Sequence, residues 1–173
     1  LFLDQSGINA NRLSAQKAIM PMVTYEENLL ILAEAGARSV SFNEGLTRLN
    51  ALRAYLSSAS AFAGDPGLTK LYAPYVSVDF DSGGMENLDG KTSDKALLRE
   101  IIEEKYVSTF GTLIPFDDVR RIRKTDNDIS LPIPINFGST YPERFLIAQD
   151  EINGNSNAPS PIPDLFVKTP VNQ

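Results

Sequence analysis

The chain has 173 residues, of which 42% are apolar and 22% charged, the balance of a folded globular protein rather than a disordered tail. Its net charge of −6 argues against a nucleic-acid partner, because phosphate binding needs clustered Lys and Arg. With neither Cys nor His, the chain excludes disulfides, thiol chemistry, Cys-ligated zinc and every Ser-His-Asp or Cys-His arrangement.

Residues 1–21 are mixed in character and end at Met20-Pro21. Thr24-Tyr-Glu-Glu27 then fits a capping box, in which Thr24 caps a helix and Glu27 returns its carboxylate to the Thr24 backbone. Leu29, Leu30, Leu32, Ala33 and Ala37 supply the apolar stripe of that helix. Its longest unbroken apolar run, Leu29 to Ala33, falls far short of the roughly 18 residues a membrane span needs. Ser41-Phe-Asn-Glu44 offers a second start, with Asn43 as the alternative cap. Leu46, Leu49, Leu52, Ala54 and Leu56 carry this second helix to about Ala63. The two make a helical hairpin, and Gly36 and Gly45 allow close approach.

Residues 64–93 change texture, with Gly64, Pro66, Gly67, Pro74, Gly83, Gly84 and Gly90 punctuating a stretch that carries Tyr72, Tyr75 and Phe80. Val76, Val78 and Phe80 alternate with Ser77 and Asp79, which allows one short strand. So long an irregular insertion is usually functional or mobile. Ser93-Asp94 begins a third helix with Leu97, Leu98, Ile101, Ile102 and Val107 on its buried side, ending near Gly111, and Glu103 and Glu104 read as solvated. Pro115-Phe-Asp-Asp118 opens a short fourth helix whose Arg120, Arg121, Arg123 and Lys124 complement the dipole at its far end. From Leu131 the helical period vanishes and seven of the eleven prolines follow, so residues 131–173 read as extended and turn structure. Phe145-Leu-Ile147 is apolar enough to dock onto the helices. The whole reads as one mainly α-helical unit, 1–173, with segments 24–63, 64–93, 94–124 and 131–173.

Several groups bear on chemistry. Asp79-Phe-Asp81-Ser-Gly83-Gly84 resembles the opening of a calcium loop, but Gly83 stands at the third ligand position and Gly90 where a bidentate Glu belongs. A glycosidase needs two acids about 5–9 Å apart, and none of the 22 acidic residues is singled out as such a pair. Arg120-Arg121-Ile-Arg123 can grip a carboxylate or phosphate, or compensate the helix dipole and pair with a helix acid. Arg53 reads as a helix arginine paired with a neighbour. Tyr72 and Tyr75 are the candidate ligand-binding residues: either they stack on a sugar or peptide, or they fold over the helix pair as local core. No metal site and no cofactor are expected.

The run Thr24-Tyr-Glu-Glu-Asn-Leu-Leu-Ile-Leu-Ala-Glu34-Ala35, followed by Leu49-Asn50-Ala-Leu-Arg53, resembles the SusD-like (SusD/RagB) outer-membrane nutrient-binding lipoproteins. The segment Tyr141-Pro-Glu-Arg144-Phe-Leu-Ile-Ala-Gln-Asp-Glu151-Ile-Asn-Gly-Asn155 is similar to that family's C-terminal signature. Ile102 to Phe110 and Arg120-Arg121 resemble the preceding helix and paired arginines of one branch. Ala148 and Ser156 stand where many relatives carry Pro, and Glu103-Glu-Lys-Tyr106 replaces the commoner Glu-Arg-Arg, which points to a divergent branch whose ligand class does not carry over.

The resemblance implies a tetratricopeptide-like hairpin at 24–63 and places the chain as roughly the C-terminal third of a longer protein. It implies a non-enzymatic protein of the outer membrane that binds oligosaccharide, or peptide in some branches, and passes it to a TonB-dependent transporter. A signal peptide and lipid-anchor Cys would precede Leu1. Glu34, Arg53, Arg144 and Glu151 are expected to brace helices and tail, and residues 64–93 to make any ligand contact. The alternative is a helical-repeat adaptor that binds only protein.

Overall fold

The computed structural model describes residues 22–58, 61, 72–135 and 140–170. The first 21 residues, the expected end of the second helix near Ala63 and the start of the insertion lie outside them. Among the described residues the protein is mainly helical and contains no strand. The chain divides after Phe116 into two compact units, where the sequence reading expects one.

In the first unit, α1 (Tyr25–Ser39) and α2 (Phe42–Leu56) form the expected hairpin. Both N-caps are as read: Thr24 Oγ1 accepts from the Glu27 N–H at 3.1 Å, and Ser41 Oγ from the Glu44 N–H at 3.1 Å. The capping box at Thr24 is only half formed, because Glu27 makes no return bond and keeps Oε2 buried without a hydrogen-bond partner among the described residues. α2 stops well before Ala63. Ser58 turns on the helix backbone, its N–H and its hydroxyl both donating to the Tyr55 carbonyl at 2.9 and 2.6 Å, which ends the i to i−4 ladder.

α3 (Ser93–Ser108) packs on α1 and α2. Leu30, Ala33, Leu49, Leu52, Phe80, Ala96, Leu97 and Ile101 are fully buried and with Tyr75 form one core. Val107, expected inside, is 70% exposed. The expected strand at 76–80 is instead a 3-10 turn, Ser77–Phe80. Asp79 causes this: its carboxylate accepts the Val76 N–H at 2.8 Å while its own N–H donates to the Val76 carbonyl at 3.0 Å. The turn drives Phe80 into the core, edge-on to Phe42 and Tyr75.

α4 (Ile114–Thr125) leads into the second unit, where Ile122 and Ile129 are buried. A short α5 (Gln149–Gly154) interrupts the stretch expected to be extended and turn structure. In the run expected to dock onto the helices, Phe145 and Leu146 are 57% and 68% exposed and Ile147 is half-buried. The tail folds back on itself: the Glu143 N–H donates to the Leu165 carbonyl, and Arg144 donates from Nε to Val167 O and from Nη2 to Lys168 O at 2.7 and 2.9 Å.

Candidate functional site

The two candidate tyrosines sit on a segment that α2 holds by one face. Asn50, Arg53 and Ser57 recur at helical spacing, so their side chains align along the helix. Asn50 clamps the Tyr75 backbone reciprocally, Nδ2 donating to the carbonyl at 2.9 Å and Oδ1 accepting the N–H at 2.8 Å. Arg53 donates from Nε to Ala73 O at 2.6 Å, and Ser57 Oγ accepts the Tyr72 N–H at 2.8 Å. No strand pairs with segment 72–75 among the described residues, and these three polar side chains satisfy its backbone instead.

Tyr75 is 9% exposed. The Arg53 guanidinium lies 3.9 Å from its ring centroid, and its hydroxyl donates to Glu100 Oε1 at 2.7 Å. This placement makes it core and removes it as a stacking platform. Tyr72 is half-buried with Arg53 5.8 Å from its ring, and it alone of the pair keeps a partly open ring. Burial pushes the Glu100 carboxyl up to about 7 and, together with the hydrogen bond to Glu100, pushes the Tyr75 hydroxyl up as well. Glu104, read as solvated, instead takes the Arg53 Nη1 at 3.0 Å with its side chain 16% exposed. Burial also raises the Glu103 and Glu104 carboxyls.

The rest of the described insertion is pinned around Asn87, which is fully buried. Asn87 Nδ2 donates to Phe80 O and Lys91 O, and Oδ1 accepts the Lys91 N–H. Arg99 holds the same loop through Asp89 and the Glu86 carbonyl, each at 2.8 Å. Asp79 and Asp81 are spent on Val76 and Ser93, and no group of three or more metal-ligating acids exists among the described residues. The Asp79–Gly84 stretch is a turn: Gly83 has φ 85°, and a Cβ on Gly84 would stand 2.5 Å from two backbone carbonyls.

The second unit contains a cleft of about 320 Å³. Arg120, Arg123 and Lys124 enter it from one face of α4, with Asn127 one turn further on. Ile135, Thr140, Tyr141, Glu143 and Lys168 complete its wall. Arg123 donates to Glu143 Oε1 at 3.1 Å and lies 4.4 Å from the Tyr141 ring centroid. Arg120 donates to Asp117 and to Thr169 Oγ1, each at 3.2 Å, and Tyr141 donates its hydroxyl to the Ile133 carbonyl. The arginine cluster thus divides: Arg120 and Arg121 pair with the helix acids Asp117 and Asp118, as dipole and pairing arguments expect, while Arg123 turns to the tail. Sequence reading missed the cleft because Tyr141, Glu143 and Lys168 come from a stretch without period. The arginine run was its one legible sign.

No protein-family model, curated protein or solved structure matches this chain.

Proposed function

We propose that the chain is the C-terminal portion of a SusD-like lipoprotein that holds a nutrient glycan at the outer-membrane surface and passes it to a TonB-dependent transporter. The observation that carries this reading is the hold of Asn50 and Arg53 on residues 73–75, which gives the Leu49-Asn50-x-x-Arg53 motif one structural purpose. The other matched residues behave as braces too. Glu34 is buried and takes Arg38 at 2.8 Å, Arg144 binds two tail carbonyls, and Glu151 accepts from Asn155. Motif residues that only brace leave ligand contact to the surfaces between them, as a binding scaffold requires. In this reading the hairpin is a late tetratricopeptide-like repeat.

Calorimetric titration of the full-length protein against glycans and peptides tests the proposal, and Tyr72→Ala tests the local contact. Tyr75 is left intact because truncating a buried ring costs about 3–5 kcal/mol and confounds any binding result. A saturable signal from one glycan class, weakened by Tyr72→Ala, is expected. Silence across the panel from folded protein favours a protein-binding adaptor, and Val76, Val78, Met85 and Leu88 are exposed apolar side chains of the insertion at 54%, 62%, 65% and 83%.

A further inference from the structure

The charge lining the second unit's cleft narrows the ligand class, an inference that rests on the nutrient-binding reading. We propose that the cleft lined by Arg120, Arg123, Lys124 and Lys168 is a subsite for the carboxylate of an acidic glycan, a uronate residue seated between these cations.

Four of the chain's 16 basic side chains converge on this one hollow and face a single lining carboxylate, Glu143, in a protein whose net charge is −6. Its arginines are held in place before any ligand arrives. Arg123 is fixed by Glu143 and the Tyr141 ring, and Arg120 by Asp117 and Thr169. Prepaid ordering of this kind lowers the entropy cost of capturing an anion. Lys168 forms no ion pair among the described residues, and Arg144 anchors its backbone carbonyl. Guanidinium groups match planar carboxylates through paired N–H donors.

The remaining wall favours a sugar over a bare anion. Ile135 offers an apolar surface at 39% exposure, while the Thr140 hydroxyl and the Asn127 amide can meet ring hydroxyls. The volume of about 320 Å³ lies at the lower end of ligand pockets, which span roughly 300–1,000 Å³.

The test is a titration of the isotope-labelled chain, followed by backbone amide shifts, with trigalacturonate, neutral galactotriose and triglutamate as probes. Saturable shifts are expected from trigalacturonate at residues 120–127, 140–143 and 168, with galactotriose at least about tenfold weaker. Lys124→Gln and Lys168→Gln change exposed side chains, and each should weaken trigalacturonate about three- to tenfold while leaving the amide spectrum otherwise unchanged. Equal affinity for galactotriose, stronger binding of triglutamate, or unaltered affinity in both variants would each overturn the proposal. Where glycan still binds, the broader nutrient-binding reading survives these outcomes. Silence toward both glycans removes this subsite, and silence of the full-length protein across its whole panel removes the broader reading as well.

Discussion

Arg53 and Tyr75 lock the first unit together: the guanidinium covers the ring at 3.9 Å while the same arginine reaches Ala73 O and Glu104. One side chain on α2 therefore ties the insertion to α3. The Arg53 and Glu104 side chains are 14% and 16% exposed, so removing one strands the other in a poorly solvated place.

Arg53→Ala should accordingly destabilise the protein by about 2–4 kcal/mol, from the orphaned Glu104 and the lost ring contact. Arg53→Lys keeps the charge but loses the fork that serves two acceptors, and about half of that cost is expected. Urea unfolding followed by tyrosine fluorescence measures both. A loss below about 0.5 kcal/mol for Arg53→Ala, the size of an exposed pair, would show that the lock carries no weight.

Stability should fall as pH rises from 5 to 8, a range in which many proteins are at their most stable. The Glu100 carboxyl stands at about 7 in the folded protein against an ordinary value of 4.5. The folded state thus holds an extra proton between those values. Its contribution is complete below the lower value and is lost as pH climbs through the upper one, at most about 3 kcal/mol. Glu103 and Glu104 are raised in the same sense. Asp89, lowered by its hydrogen bond to Arg99, works the other way only in acid. Glu100→Gln keeps an acceptor for the Tyr75 hydroxyl and should flatten the profile, with about 1–2 kcal/mol gained at pH 8. Thermal melts across this range decide it: an unchanged slope in the variant would assign the pH dependence to other groups.

The hairpin was legible because its signals are local. Thr24 and Ser41 cap within three residues, and the apolar spacing names Leu30, Leu49 and Leu52 as core. What escaped the sequence depends on partners far along the chain. Glu104 looks solvated until Arg53, 51 residues earlier, is seen beside it. Val76 to Phe80 alternates like a strand, yet no second strand exists among the described residues to pair with it, and Asp79 closes the backbone on itself. Half of the cleft comes from a proline-rich tail, where neither period nor propensity predicts which residues return to α4.

The hairpin helices approach closely at Gly45. A Cβ there would stand 2.6 Å from Ala37 Cβ and 2.9 Å from Ala37 Cα, a clash only helix displacement relieves. At Gly36 the nearest atom is the flexible Glu44 Cγ at 3.0 Å. Alanine favours a helix over glycine by about 1 kcal/mol, so the two substitutions should separate in sign. Gly45→Ala is expected to cost about 1–3 kcal/mol net, whereas Gly36→Ala should be neutral or slightly stabilising. Equal melting temperatures for the two variants would mean that the helices part without penalty.

The tail of the second unit hangs on Arg144, whose Nε and Nη2 donate to the Val167 and Lys168 carbonyls. Around it the chain offers little else, since Phe166, Val167 and Lys168 are exposed and the Leu165 carbonyl takes one further bond from Glu143. Charge-assisted hydrogen bonds contribute about 1.5–3 kcal/mol each when buried and less in the open. Arg144→Ala should therefore open residues 164–170 locally, raising their amide exchange rates about tenfold or more while residues 93–108 exchange as before. Because Lys168 lines the cleft, the same variant should weaken anion capture without altering a single lining side chain. Unchanged exchange at 164–170 would show that packing, and not this arginine, holds the tail in place.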